Sequence, residues 1–152
     1  MKQFLYLFCI LTVVSACKEV FETPPLALLQ GTLLNSSTKK TITSKITVLG
    51  IGRDSLWEKE TSLKEILLPL SVHDTTNYLI SFDSQIDTIT FFHETIKKYA
   101  SMETGFYYQY KLRSIKYTQH RIDSILITDS LVTEIWHENI KLYIHPLSTG
   151  GN

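Results

Sequence analysis

The feature that most constrains this chain is a strict alternation of apolar and polar side chains. It begins near Leu26 and recurs almost to the end. Its longest run is "GFYYQYKLRSIKYT", where Phe106, Tyr108, Tyr110 and Leu112 share one parity before Ile115 and Tyr117 take the other. Successive side chains of a strand point to opposite faces, so period two means a half-buried strand rather than a helix. The parity change predicts a bulge near Ser114, because one extra residue flips every side chain after it. Tyr78, Ile80 and Phe82 in "NYLISF", Ile46 and Val48 in "KITVLGIG", and Ile140, Leu142 and Ile144 in "NIKLYI" repeat the pattern. Further strands are expected over 26–34, 66–68, 86–93 and 122–128. Turn-forming clusters at 35–37, 52–55, 73–76 and 118–121 separate these runs. Short helices are expected only at 95–102 and 129–136. Seven to eight antiparallel strands at this spacing predict an all-β sandwich, immunoglobulin-like in general architecture, over residues 26–147. The tail 148–152 is expected to be disordered.

The chain has 152 residues, enough for one domain with its own core. Lys plus Arg and Asp plus Glu both total 15. That balance provides no electrostatic footprint for nucleic acid, nor a way to hold an anionic membrane by charge alone. The only cysteines are Cys9 and Cys17, both ahead of the strands. A disulfide within the domain and a cysteine zinc site are therefore not expected, and no cofactor is called for.

Cys17 has a different reading. A positive start, Met1-Lys2-Gln3, precedes the uncharged eleven-residue run "FLYLFCILTVV". The run is too short to span a bilayer, which takes about 18–20 apolar residues, and it has the layout of an export signal over residues 1–16. It ends in Val14-Ser15-Ala16-Cys17, one aliphatic residue and two small ones before a cysteine. A thiolate is nucleophilic enough to accept a diacylglyceryl group. Val14, Ser15 and Ala16 would let a peptidase reach the bond before it. Lipidation of Cys17 is expected, with residues 17–25 as a tether and Cys9 discarded. The competing expectation is ordinary signal cleavage, which would leave a stray exported thiol. The membrane is then the expected partner, through diacylglyceryl and N-acyl chains on Cys17. The expected location is the outer membrane, on its periplasmic face or at the cell surface. Another envelope protein or a glycan is a further possible partner.

Taken in order, this "VSAC" motif, "TPPL", "TVLGIGRDSL", "LPL", "IDTITFF", "GFYYQYKLRSIKYT", "IDSILI" and "NIKLYI" resemble a family of small Bacteroidota lipoproteins of unassigned function. The resemblance implies a single all-β envelope domain after a lipid-bearing cysteine, with no catalytic residues to carry over. It also implies O-glycosylation at Asp followed by Ser or Thr and then an aliphatic residue or Thr. Ser55 and Thr75 fit that pattern in expected polar turns, where a glycan would meet water.

Catalytic signatures are weak. His73, His93, His120, His137 and His145 lack the i, i+4 spacing of a helical zinc pair and read as surface or strand-edge residues. "GIGRDS" lacks a phosphate-loop pattern and suits a hairpin, and there is no Gly-x-Ser-x-Gly elbow. Asp83 and Asp87 could form a carboxylate pair. Trp57 and Trp136 could stack on sugars, although packing at the core or its rim is the stronger expectation. A non-catalytic binding or structural module is expected. The alternative is a small envelope hydrolase acting on glycan or peptide, whose mark would be a pocket gathering a histidine and carboxylates.

Overall fold

A computed structural model describes residues 23–52, 56–83 and 85–146. It contains ten strands: β1 (Leu28–Asn35), β2 (Ser44–Gly50), β3 (Leu56–Leu63), β4 (Glu65–Pro69), β5 (Thr75–Phe82), β6 (Gln85–Ser101), β7 (Gly105–Tyr117), β8 (Ile122–Ile127), β9 (Leu131–Val132) and β10 (Glu138–Ile144). They form a four-stranded sheet in the order β4-β1-β10-β8 and a six-stranded sheet in the order β3-β2-β5-β6-β7-β9. The predicted all-β sandwich is the observed architecture, with more strands than expected and one parallel pair, β1 with β10.

Alternation decides which face each strand buries. Ile46, Val48, Ile80, Phe82, Ile89 and Phe91 of the larger sheet, with Leu29, Leu33, Ile66, Leu68, Ile140 and Leu142 of the smaller, form one fully buried core. Gly31 sits where three side chains converge. A Cβ there would lie 2.7 Å from Leu142 and 3.0 Å from Ile140, so β1 can nest against β10 only without a side chain.

The predicted bulge is present. Phe92 pairs with Ser114 and His93 with Leu112, leaving Arg113 as the extra residue. Residues 95–102 are not a helix: 95–101 prolong β6, because the ladder to β7 continues as far as Ser101 opposite Gly105. Residues 129–136 hold turns and the two-residue β9, which pairs with Tyr110 and Lys111. β3 escaped the periodicity reading because it is an edge strand with little buried surface. Its Glu58-Lys59-Glu60 run and the left-handed Glu60 (φ 49°) suit an edge that must not recruit another strand.

Among the described strands the chain crosses between sheets six times. The crossings at 36–43, at Lys64 and at 118–121 lie at the far end of the sandwich, where β1 and β10 finish. Those at 70–74 and around β9 lie at the entry end, where β1 starts at Leu28 opposite Pro69. Past Thr75, where β5 begins, β7 still carries β9 at Tyr110 and Lys111, and from Ile96 on β6 and β7 continue alone as an arm beyond the entry end.

Candidate functional site

Among the described residues five polar side chains are buried: Ser44, Asp87, His93, Arg121 and Asn139. Each stands at an inter-sheet crossing. A buried polar group is costly unless it is paired, so its partners indicate what it does.

The densest cluster lies at the far end. Asp87 is fully buried on β6 and accepts hydrogen bonds from the Thr118 hydroxyl (2.7 Å) and the backbone N–H groups of His120 (2.9 Å), Arg121 (2.7 Å) and Ile122 (3.0 Å). The exposed ring of His120 places Nδ1 at 3.2 Å. Arg121 donates to Asp83 Oδ2 at 3.0 Å and to the carbonyl of His145. Asp83 also accepts from Ser44 Oγ (2.8 Å) and Lys45 N (3.1 Å). The two carboxylates named from the sequence are thus linked through Arg121, by its backbone and by its guanidinium. Burial pushes both carboxyls up, but this set of donors outweighs it and holds both below the usual carboxylate range. Asp83 and Asp87 are therefore held as carboxylates with their lone pairs occupied. Such groups fix a loop; they are poor proton donors.

His93 corrects the surface reading, since it is buried in the wall of the core at the entry end. Its Nε2 lies 2.8 Å from Thr76 Oγ1, which also accepts from Ser71 N, and its ring meets Tyr110 edge-on at 5.3 Å. The Tyr110 hydroxyl donates to Leu70 O at 3.0 Å. Together these bonds fasten the 70–74 crossing. Desolvation pushes His93 below the ordinary histidine value of 6.5, and attraction to Asp74 offsets only part of it. A depressed folded value means that its share of stability is present above about pH 6.5 and is lost as pH falls below that. We expect the melting temperature to decline between pH 7 and 5, and His93→Phe to flatten that slope. An unchanged slope in thermal melts would contradict this.

Asn139 closes the third crossing: its Oδ1 accepts from Gln30 N (3.1 Å) and its Nδ2 donates to Leu131 O (2.9 Å). Both tryptophans are partly exposed and donate through their indole N–H to backbone carbonyls. Trp57 donates to Leu67 O (2.6 Å) and Trp136 to Leu26 O (3.0 Å), which is rim packing.

Three hollows open on the surface of the described residues. A cleft of about 280 Å³ at the entry end is lined by His73, Ser71, Thr76 and Asn77 among others, with no carboxylate. A hollow around Lys45, Glu60 and Asp83 has no histidine. The hollow beside His120 is lined by Gln85, Ile86 and Gln119, none of them bearing a hydroxyl or thiol. Among the described residues no group of three or more His, Cys, Asp or Glu could hold a metal ion. Thr75 opens β5 rather than sitting in a turn, and its hydroxyl is 3.4 Å from Asp74 Oδ1. Val14, Ser15, Ala16, Cys17 and Ser55 lie outside the described residues.

The latch residues carried little sequence signal. Asp87 and Arg121 look like ordinary turn and strand-start residues, and only their meeting across 34 positions gives them a role. No curated protein and no solved structure matches the chain. A family profile does match, over residues 45–144, from the second residue of β2 to the last of β10. By that match, which runs over β2 to β10 and includes Asp83, Asp87 and Arg121, the chain belongs to a family of unknown function, DUF6452.

Proposed function

We propose that this chain is an exported lipoprotein, held in the outer membrane through acylated Cys17, whose β-sandwich serves the cell envelope as a non-catalytic binding or structural module. The observation that carries the reading is Val14-Ser15-Ala16-Cys17 directly after an eleven-residue apolar run with a positive start. One myristoyl-length chain holds a protein only marginally, at about 0.8 kcal/mol per buried CH2, whereas two or three hold it stably. Against a hydrolase stands the make-up of the three hollows above, none of which joins a histidine, a carboxylate and a nucleophile. The neutral charge balance speaks against nucleic acid as partner.

The test is Cys17→Ala in cells fed a clickable fatty acid. Label should be lost and the protein should leave the membrane fraction; equal labelling of variant and wild type would overturn the anchor. O-glycosylation at Thr75 and Ser55 belongs to the same reading. Mass spectrometry of protein from its native host should find a glycan on one or both, and unmodified peptides spanning both sites would refute it.

A further inference from the structure

The exposed apolar side chains are unevenly placed. Leu26, Tyr99, Met102, Phe106, Ile135 and Trp136 are each more than half exposed, and all lie at or beyond the entry end. At the far end Ile86 is the exposed large hydrophobic residue among the described ones. The arm concentrates this surface. At its tip Met102 is 95% exposed, the Tyr99 and Phe106 rings meet edge-on at 5.5 Å, and Lys97 Nζ lies 4.0 Å from the Phe106 centroid. Lys98 adds a second cation and Glu103 a single carboxylate. Aromatic rings with adjacent lysines are the composition that settles at a headgroup boundary.

Chain length turns this into geometry. The described chain starts at the same end, with Leu26 bonded to Trp136. From Lys18 to Pro25 the tether has eight residues, reaching at most about 29 Å at roughly 3.6 Å each. Beyond β9 the arm runs from Ile96 to Ser101, six residues extending about 20 Å at roughly 3.3 Å each. With the arm upright, even a fully stretched tether leaves its tip within about 10 Å of the surface in which Cys17 is anchored. A tether at about 70% of that limit brings the two into contact.

We propose that the entry end is the membrane-facing surface, with Tyr99, Met102 and Phe106 seated in the headgroup–acyl boundary of the bilayer that holds the Cys17 acyl chains. This rests on the anchor reading and adds an orientation: the far end, with its Asp83–Arg121–Asp87 latch, points away from the membrane. A second copy pairing along the open edge of the arm is disfavoured by Lys97 and Lys98, since charged edges resist strand addition.

The test uses the full chain, processed in cells, purified in detergent and reconstituted in vesicles of phosphatidylethanolamine and phosphatidylglycerol. Met102→Cys, or Gln85→Cys at the far end, carries a nitrobenzoxadiazole probe. Flotation reports the anchor, and quenching by nitroxide-labelled lipids reports the tip. The probe at 102 should shift to the blue and be quenched several-fold more than the probe at 85. Tyr99→Ser with Phe106→Ser should reduce that quenching while flotation is unchanged. Protein that floats with a water-like probe at 102 overturns the orientation alone. A blue shift without lipid quenching points to a second copy and also overturns it. Protein that does not float, or that takes the label on Cys17, overturns the anchor and this inference with it.

Discussion

Replacing Asp87 by alanine is expected to cost about 3–5 kcal/mol, the usual penalty for removing one partner of a buried charged network. Three backbone N–H groups and the Thr118 hydroxyl lose their acceptor, and Arg121, buried nearby, keeps only Asp83 and a carbonyl. Asp87→Asn should lie between, since the amide retains one acceptor oxygen. Asp123→Ala, at a half-exposed carboxylate beside His145, should stay within about 0.5 kcal/mol. The same network sets an acid limb. Because the folded carboxyl values are depressed, their contribution is fully present above about pH 4 and is lost as pH falls through the folded values. Urea denaturation from pH 7 down to 3 should show that loss in the wild type and less of it in Asp87→Asn. Equal stability of Asp87→Ala and wild type would mean that the latch does not hold the 118–121 crossing.

Phe91→Ala should be of similar size, about 3–5 kcal/mol, lowering the melting temperature by on the order of 10–20 °C. Phe91 is fully buried at the centre of β6 and packs edge-on against Tyr78 with centroids 6.3 Å apart. Its neighbour Phe92 points to the other face, where Lys116 covers it at 5.4 Å from the centroid. Phe92→Ala should cost less than half as much. The pair tests the register directly, because a one-residue slip would exchange the two penalties.

The sandwich was legible where one face of a strand is buried, because burial writes period two into the sequence. Tyr78-Leu79-Ile80-Ser81-Phe82 is such a stretch, and so is Ile140 to Ile144. The bulge at Arg113 was legible for the same reason: it is the only way to bury both Leu112 and Ile115. Periodicity failed where no sandwich face is covered. β3 lies at an edge, and residues 96–101 stand beyond the sandwich, so neither has a core to impose alternation. The arm is a strand through its ladder with β7, a long-range pairing that local composition does not encode. His93 was misread because a histidine is apolar enough to be buried when Thr76 and Tyr110 surround it, and those partners are 17 positions away in each direction. Asp83 and Asp87 were recognised as a pair, but Arg121, which changes them from a possible acid–base pair into a latch, was not.

The anchor is the centre of the account, and the mass of the mature amino-terminal peptide tests it most directly. Protein purified from its native host should begin at Cys17, with a diacylglyceryl group on the sulfur and, where the amine is also modified, one further acyl chain. A chain that begins elsewhere, or that begins at Cys17 with a free thiol, would contradict it.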